Sequence, residues 1–236
     1  MKKPLVLVSA LAALFTVSSA NALIIDDFSI GQSDITLNGQ SSSSLLISGP
    51  NSSIIGGYRQ TQVTMYSGDS DAKTEVRVTP SGVLDISNTT TAQSRTLLTW
   101  NANGAGLGNL DLLDFGSNGV FLAFPYAMDH ALDLMFEVED TGNSISTFVK
   151  TYVAGSQGND FFVPFSAFSN LAALSSADAI RMTIDSTTPG LDATIDLIES
   201  RDAPPVNVPE PATMGLLGLG LLGLGLTRLK AKTRKT

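Results

Sequence analysis

Leu132-Asp133-Leu134-Met135-Phe136-Glu137-Val138-Glu139 decides the fold. Leu132, Leu134, Phe136 and Val138 recur at every second position, with Asp133, Glu137 and Glu139 between them. Successive strand side chains point to opposite faces, so this spacing makes a strand with one dry and one wet face, whereas a helix would need apolar residues three and four apart. The same period runs through Thr74-Glu-Val76-Arg-Val78, through Ile180-Arg-Met182-Thr-Ile184-Asp and through Ala193-Thr-Ile195-Asp-Leu197. Turn-forming clusters separate these stretches: Gly56-Gly57, Gly68-Asp69, Pro80-Ser-Gly82, Gly116-Ser-Asn-Gly119, Thr141-Gly-Asn143 and Pro189-Gly190. About eleven short strands at this spacing, with only Ser166 to Ser175 offering a helical turn or two, predict an all-β, two-sheet antiparallel sandwich. Asn38 to Gly57, which contains Ser41 to Ser44, reads as loop or edge strand.

Composition agrees with an exported β-rich chain. Charged residues make up 15% of the sequence, against about 25% in an average soluble domain. There is no cysteine and there is one histidine, which excludes a zinc finger, a disulfide framework and a Cys/His nucleophile pair. Between Leu23 and Val208 there are seven basic and 21 acidic residues, without a cluster of Lys or Arg. A phosphate-binding surface needs such a cluster, so no nucleic-acid partner is expected.

The two ends carry addresses. Lys2 and Lys3 precede an apolar run from Leu5 to Val17, followed by the small residues Ala20-Asn21-Ala22. As a helix the run is about 20 Å long, too short for a hydrocarbon core of about 30 Å. Residues 1–22 therefore read as a secretory signal helix cut by signal peptidase after Ala22, with Ala20 as a neighbouring alternative. The body is expected over residues 23–200. Residues 201–211 form a proline-rich linker, and Pro209 and Pro211 keep Glu210 out of any regular helix. Residues 212–227 contain no charge and make a short transmembrane helix of about 24 Å. Arg228, Lys230, Lys232, Arg234 and Lys235 then hold residues 228–236 in the cytoplasm. Glycines at 215, 218, 220, 223 and 225 contain no Gly-x-x-x-Gly pair, so they soften the span and do not form a dimer seam.

Val208-Pro209-Glu210-Pro211, the glycine-rich apolar segment and the basic tail together resemble the PEP-CTERM sorting signal of Gram-negative bacteria. The resemblance covers about the last 29 residues. It implies transient anchoring in the inner membrane, recognition of Pro209, Glu210 and Pro211 by an exosortase, and loss or exchange of residues 212–236 on the way to the cell surface or extracellular matrix. It also implies an association with exopolysaccharide and biofilm. Within the body, Ile24-Ile-Asp26-Asp27-Phe28, Gly57-Tyr-Arg59, Phe162-Val-Pro164-Phe165 and Asp192-Ala-Thr-Ile-Asp196 resemble jelly-roll domains of the galactose-binding or carbohydrate-binding-module type.

Such modules bind sugars on aromatic platforms ringed by polar groups. The candidates are Trp100, Tyr58, Tyr66, Tyr126 and Tyr152; Trp100 ends an apolar strand and reads as core, and Tyr126 is the least core-like. No cofactor is required. Calcium is the ion that the carboxylates would suit, either at Asp69, Asp71 and Glu75 or, by the jelly-roll resemblance, at Asp26 or Asp27 with Asp192 or Asp196. Ordinary turn and edge carboxylates are the favoured account of both groups. Glu137 and Glu139 share a strand face about 7 Å apart, within the separation a glycosidase needs. They lack the Glu-x-Asp-x-x-Glu pattern of sandwich glucanases. His130 beside Asp129 has no Gly-x-Ser-x-Gly elbow to serve. The expected function is a non-enzymatic, exosortase-sorted surface protein whose body binds extracellular polysaccharide or packs within it. A secreted polysaccharide-active hydrolase is the alternative, and a matrix scaffold with no small ligand is the third reading.

Overall fold

The computed structural model describes residues 22–39, 42–114 and 116–203. Along them run β1 (Leu23–Asp26), β2 (Gln32–Asn38), β3 (Ser42–Ser48), β4 (Arg59–Ser67), β5 (Lys73–Val78), β6 (Leu84–Asn88) and β7 (Gln93–Trp100). The second half adds β8 (Gly119–Ala123), β9 (Leu132–Asp140), β10 (Ile145–Tyr152), β11 (Phe162–Pro164), β12 (Ala177–Ser186), β13 (Asp192–Ile195) and β14 (Leu197–Arg201). Among the described residues the one α-helical turn, α1 (Leu171–Leu174), is capped by the Asn170 side chain and falls in the stretch where a helical turn is expected. Fourteen strands among the described residues exceed the eleven expected, because short segments such as β1 and β11 carry no alternation long enough to register.

One layer is a six-stranded antiparallel sheet in the order β10-β9-β12-β7-β4-β3. β9, the strand that decided the reading, pairs with both β10 and β12 and buries Leu132, Leu134, Phe136 and Val138. β3 is its outer strand, so the serine-rich stretch is an edge strand. The opposing layer consists of two four-stranded sheets, β1-β14-β8-β11 and β13-β6-β5-β2. Two sheets replace the expected single one because the strand from 192 to 201 breaks at Asp196: residues before it pair with β6, and residues after it pair with β8. The Asp196 N–H donates to Ala123 O at 3.0 Å at the break. Side chains from all three sheets meet in one continuous core that includes Val76, Leu84, Leu98, Phe136, Met182, Val120 and Ile198. Each such fully buried side chain contributes about 1.5–3 kcal/mol. The result is the predicted jelly-roll-like antiparallel sandwich.

Gly119 shows why a residue without a side chain opens β8. A Cβ there would strike the Phe162 ring and Val163 O of the paired strand β11. Just past the end of β8, Phe124, Phe161 and Tyr152 form a buried stack, with ring centroids 3.7 and 4.4 Å apart.

The chain divides into two units between Ala203 and Pro204. Ala22, the expected leader boundary, is exposed. The rest of the leader, with Ala20, and the expected linker, membrane segment and basic tail beyond residue 203 lie outside the described residues. Among the described residues no helix is long and apolar enough to cross a membrane.

Candidate functional surface on the six-stranded sheet

The outward phase of the six strands places side chains in three rows that cross the sheet. The central row is Leu45, Gln62, Leu97, Thr183, Met135 and Val149, each directly opposite the next. A row of six strands spans about 24 Å at the usual strand separation. On one side of it lie Ile47, Gln60, Thr99, Arg181, Glu137 and Thr147. On the other lie Ser43, Thr64, Arg95, Asp185, Asp133 and Thr151. A row with four apolar members, interrupted by Gln62 and Thr183, is thus flanked by two rows that are polar apart from Ile47.

Tyr66 borders this surface. It continues the outward phase of Gln60, Gln62 and Thr64 where the register shifts between Met65 and Ser67, and it is 43% exposed. Its hydroxyl donates to Asp185 Oδ1 at 2.5 Å and lies 2.8 Å from Ser186 O. Burial and that hydrogen bond to Asp185 push the phenol up to about 12. Asp185 Oδ2 accepts from Arg95 Nε and Nη2 at 2.9 and 2.6 Å. The ring therefore has a fixed orientation, and Arg95 has a fixed fork.

Glu139 is bonded to Arg181. Glu137 faces Arg181 across the ladder and has no ion pair among the described residues. One of the two carboxylates considered for hydrolysis is thus engaged in an ion pair, and both project from a single strand.

The other sequence candidates separate. Asp26, considered for calcium, is instead fully buried with Arg59. Arg59 Nη1 donates to Asp26 Oδ1 and Oδ2 at 2.9 and 2.8 Å. Trp100 Nε1 and the Phe28 N–H each add a hydrogen bond of 2.9 Å. Burial pushes the Asp26 carboxyl up, against the pull of Arg59, Trp100 and Phe28. A carboxylate so enclosed ties β1 to β4 and β7 and cannot serve as an open ligand. Trp100 is core, as read. Tyr152, offered as a platform, is 2% exposed and belongs to the aromatic stack.

Asp27 and Asp196 line one hollow of about 400 Å³ together with Ser29 and Gly82. Asp196 Oδ1 is buried there without a hydrogen bond among the described residues. Asp192 lies elsewhere, beside Tyr126. Two carboxylates supply at most four of the six to eight oxygens that calcium takes, and among the described residues no group of three or more His, Asp or Glu is placed to hold a metal. Asp69 closes a turn, accepting from the Asp71 N–H and from Thr91 Oγ1 at 3.0 Å. Glu75 is bound by Lys73 at 2.6 Å, a hydrogen bond that holds its carboxyl below the usual range. His130 Nδ1 is 3.1 Å from Asp129 Oδ2, and among the described residues no serine bonds to it.

Arg95, Asp185, Arg181, Leu97 and Met135 were not singled out in the sequence. Arg95 carries the available signal, being the one charge at the outward phase of the otherwise uncharged β7. Which strands would lie beside it is not written in that strand.

A model described as the PEP-CTERM protein-sorting motif matches residues 207–229. The chain carries a PEP-CTERM sorting motif. That motif implies export, transient membrane anchoring and processing by an exosortase. Its residues Pro209, Glu210 and Pro211, and the tail residues Arg228, Lys230, Lys232, Arg234 and Lys235, lie outside the described residues. No curated protein matches the chain. Among solved structures, the body is similar to the family 11 carbohydrate-binding module of the cellulosomal cellulase Lic26A-Cel5E of Clostridium thermocellum, at 11% identity and a TM-score of 0.37, covering 80% of this chain and 100% of that one. The family 11 module from Clostridium thermocellum in complex with a β-1,3-1,4-mixed-linked tetrasaccharide gives 12% identity, a TM-score of 0.36 and coverage of 77% and 96%. PfGH50B gives 14% identity and a TM-score of 0.35, covering 75% of this chain and 23% of that one.

Proposed function

We propose that this PEP-CTERM protein is delivered to the cell surface or extracellular matrix of a Gram-negative bacterium, and that its β-sandwich binds extracellular polysaccharide without acting on it. Signal peptidase removes the leader after Ala22, and an exosortase acts at Pro209-Glu210-Pro211. The supporting observation is the outer face of the six-stranded sheet, where Tyr66, locked by Asp185, stands beside the Arg95 fork at the side of the central row. Apolar sugar faces would lie on the Leu97 and Met135 row, and hydroxyls would meet Gln62, Glu137 and Arg95. An oriented ring and fork need little ordering when a ligand binds, which favours affinity.

The test is calorimetric titration of the host's extracellular polysaccharide into the processed protein recovered from that host. Saturable binding is expected, weakened about tenfold or more by Tyr66→Ala and by Arg95→Ala, the equivalent of roughly 1.4 kcal/mol. Wild-type binding that survives both changes would place the ligand elsewhere, and reducing-sugar release abolished by Glu137→Gln would replace the reading with hydrolysis. The sorting half is tested by intact mass: surface material is expected to lack the residues after about 211, and recovery of the complete basic tail would sink it.

A further inference from the structure

The structure assigns a second ligand site, on the opposite layer, that takes an amine-bearing sugar residue. A hollow of about 250 Å³ lies between the loop that follows β8 and the outer face of β13 and β6, lined by Tyr126, Met128, Asp85, Asp129, Asp192 and Thr194. Tyr126 is 71% exposed, while Phe124 and Met128 on either side of it are 4% and 3% exposed. The loop therefore buries its other large apolar side chains and puts the Tyr126 ring into solvent at the mouth of a concavity.

That loop is tied down at three places. Phe124 stacks on Phe161. Met128 exchanges backbone hydrogen bonds with the neighbouring loop, its N–H to Ser156 O at 3.2 Å and its carbonyl from the Gly155 N–H at 2.8 Å. Asp129 Oδ1 accepts from the Asp192 N–H at 2.9 Å, which joins the loop to the start of β13. The wall and the floor of the hollow are thus positioned before any ligand arrives, and little ordering is left for binding to supply.

The charges select the ligand. Asp85 is matched by Arg77 at 2.9 Å, and Asp129 sits beside His130. Asp192 is exposed and has no cationic partner among the described residues. Neither Lys nor Arg lines the hollow. An anionic sugar would meet three carboxylates and no cation in the lining. An ammonium group gains an ion pair with Asp192 and the face of the Tyr126 ring, which attracts cations, while hydroxyls of the same sugar meet Thr194 and Asp129.

Glucosamine oligomers titrated into the processed protein test this, with their N-acetylated counterparts as the uncharged comparison. Saturable binding of the amine form is expected, about tenfold or more tighter than the acetylated form and weakening as salt is added. Asp192→Asn and Tyr126→Ala should each weaken it by about tenfold; both side chains are exposed, and an unchanged melting temperature confirms that each variant is folded. Tyr66→Ala should leave it unaltered, which separates this site from the sheet surface. Equal binding of the acetylated oligomer, indifference to Asp192→Asn, or no binding by the unaltered protein would each overturn the assignment.

Discussion

Asp26 and Arg59 are both fully buried, and a buried ion that loses its partner keeps its desolvation cost without the attraction that offset it. Arg59→Ala is expected to cost about 3–5 kcal/mol in urea unfolding. Replacing both residues with apolar side chains of similar volume should recover most of that loss, since the pair itself adds little net stability. Tyr66 behaves differently because it titrates at the surface. Its folded-state pKa is raised from 10.0 to about 12, so its contribution is fully present below pH 10 and is lost as the pH rises through about 12. Ultraviolet titration of tyrosinate should lose a component near that value in Tyr66→Phe.

β9 lies inside the six-stranded sheet and carries four fully buried apolar side chains, whereas β3 and β11 are edge strands. Strands paired on both sides open only with the whole fold, while edges open locally. Amide exchange is accordingly expected to be slowest in β7, β9 and β12 and fastest in β3 and β11, and equal protection throughout would contradict this sheet order. Phe136→Ala, at the centre of β9, should cost about 3–5 kcal/mol. Val149, on edge strand β10, is 62% exposed, so Val149→Thr should stay within about 0.5 kcal/mol. The alternation in β9 made its buried face legible without the structure. The register did not follow from it, because a period of two names a face and leaves the neighbouring strand open.

Across the whole molecule the 21 acidic and seven basic residues between Leu23 and Val208 repel one another in the folded body. Raising the ionic strength from about 0.01 M to about 0.15 M shortens the screening length from roughly 30 Å to roughly 8 Å. The melting temperature should therefore rise over that range, and a fall would mean that paired charges such as Arg77 and Asp85 outweigh the net repulsion. By itself the sequence determined the all-β class, the buried faces of the long strands, the core place of Trp100 and the sorting motif, because each depends on residues close together in the chain. Only the tertiary structure decided that Asp26 belongs to Arg59, 33 residues away, that Tyr66 meets Asp185, 119 residues away, and that Asp192 lies beside Tyr126 and apart from Asp196. A carboxylate in a strand looks the same in sequence whether it faces water, a guanidinium or a hollow. The partner is chosen by strand order and register, which are set by how all the apolar faces close on one core.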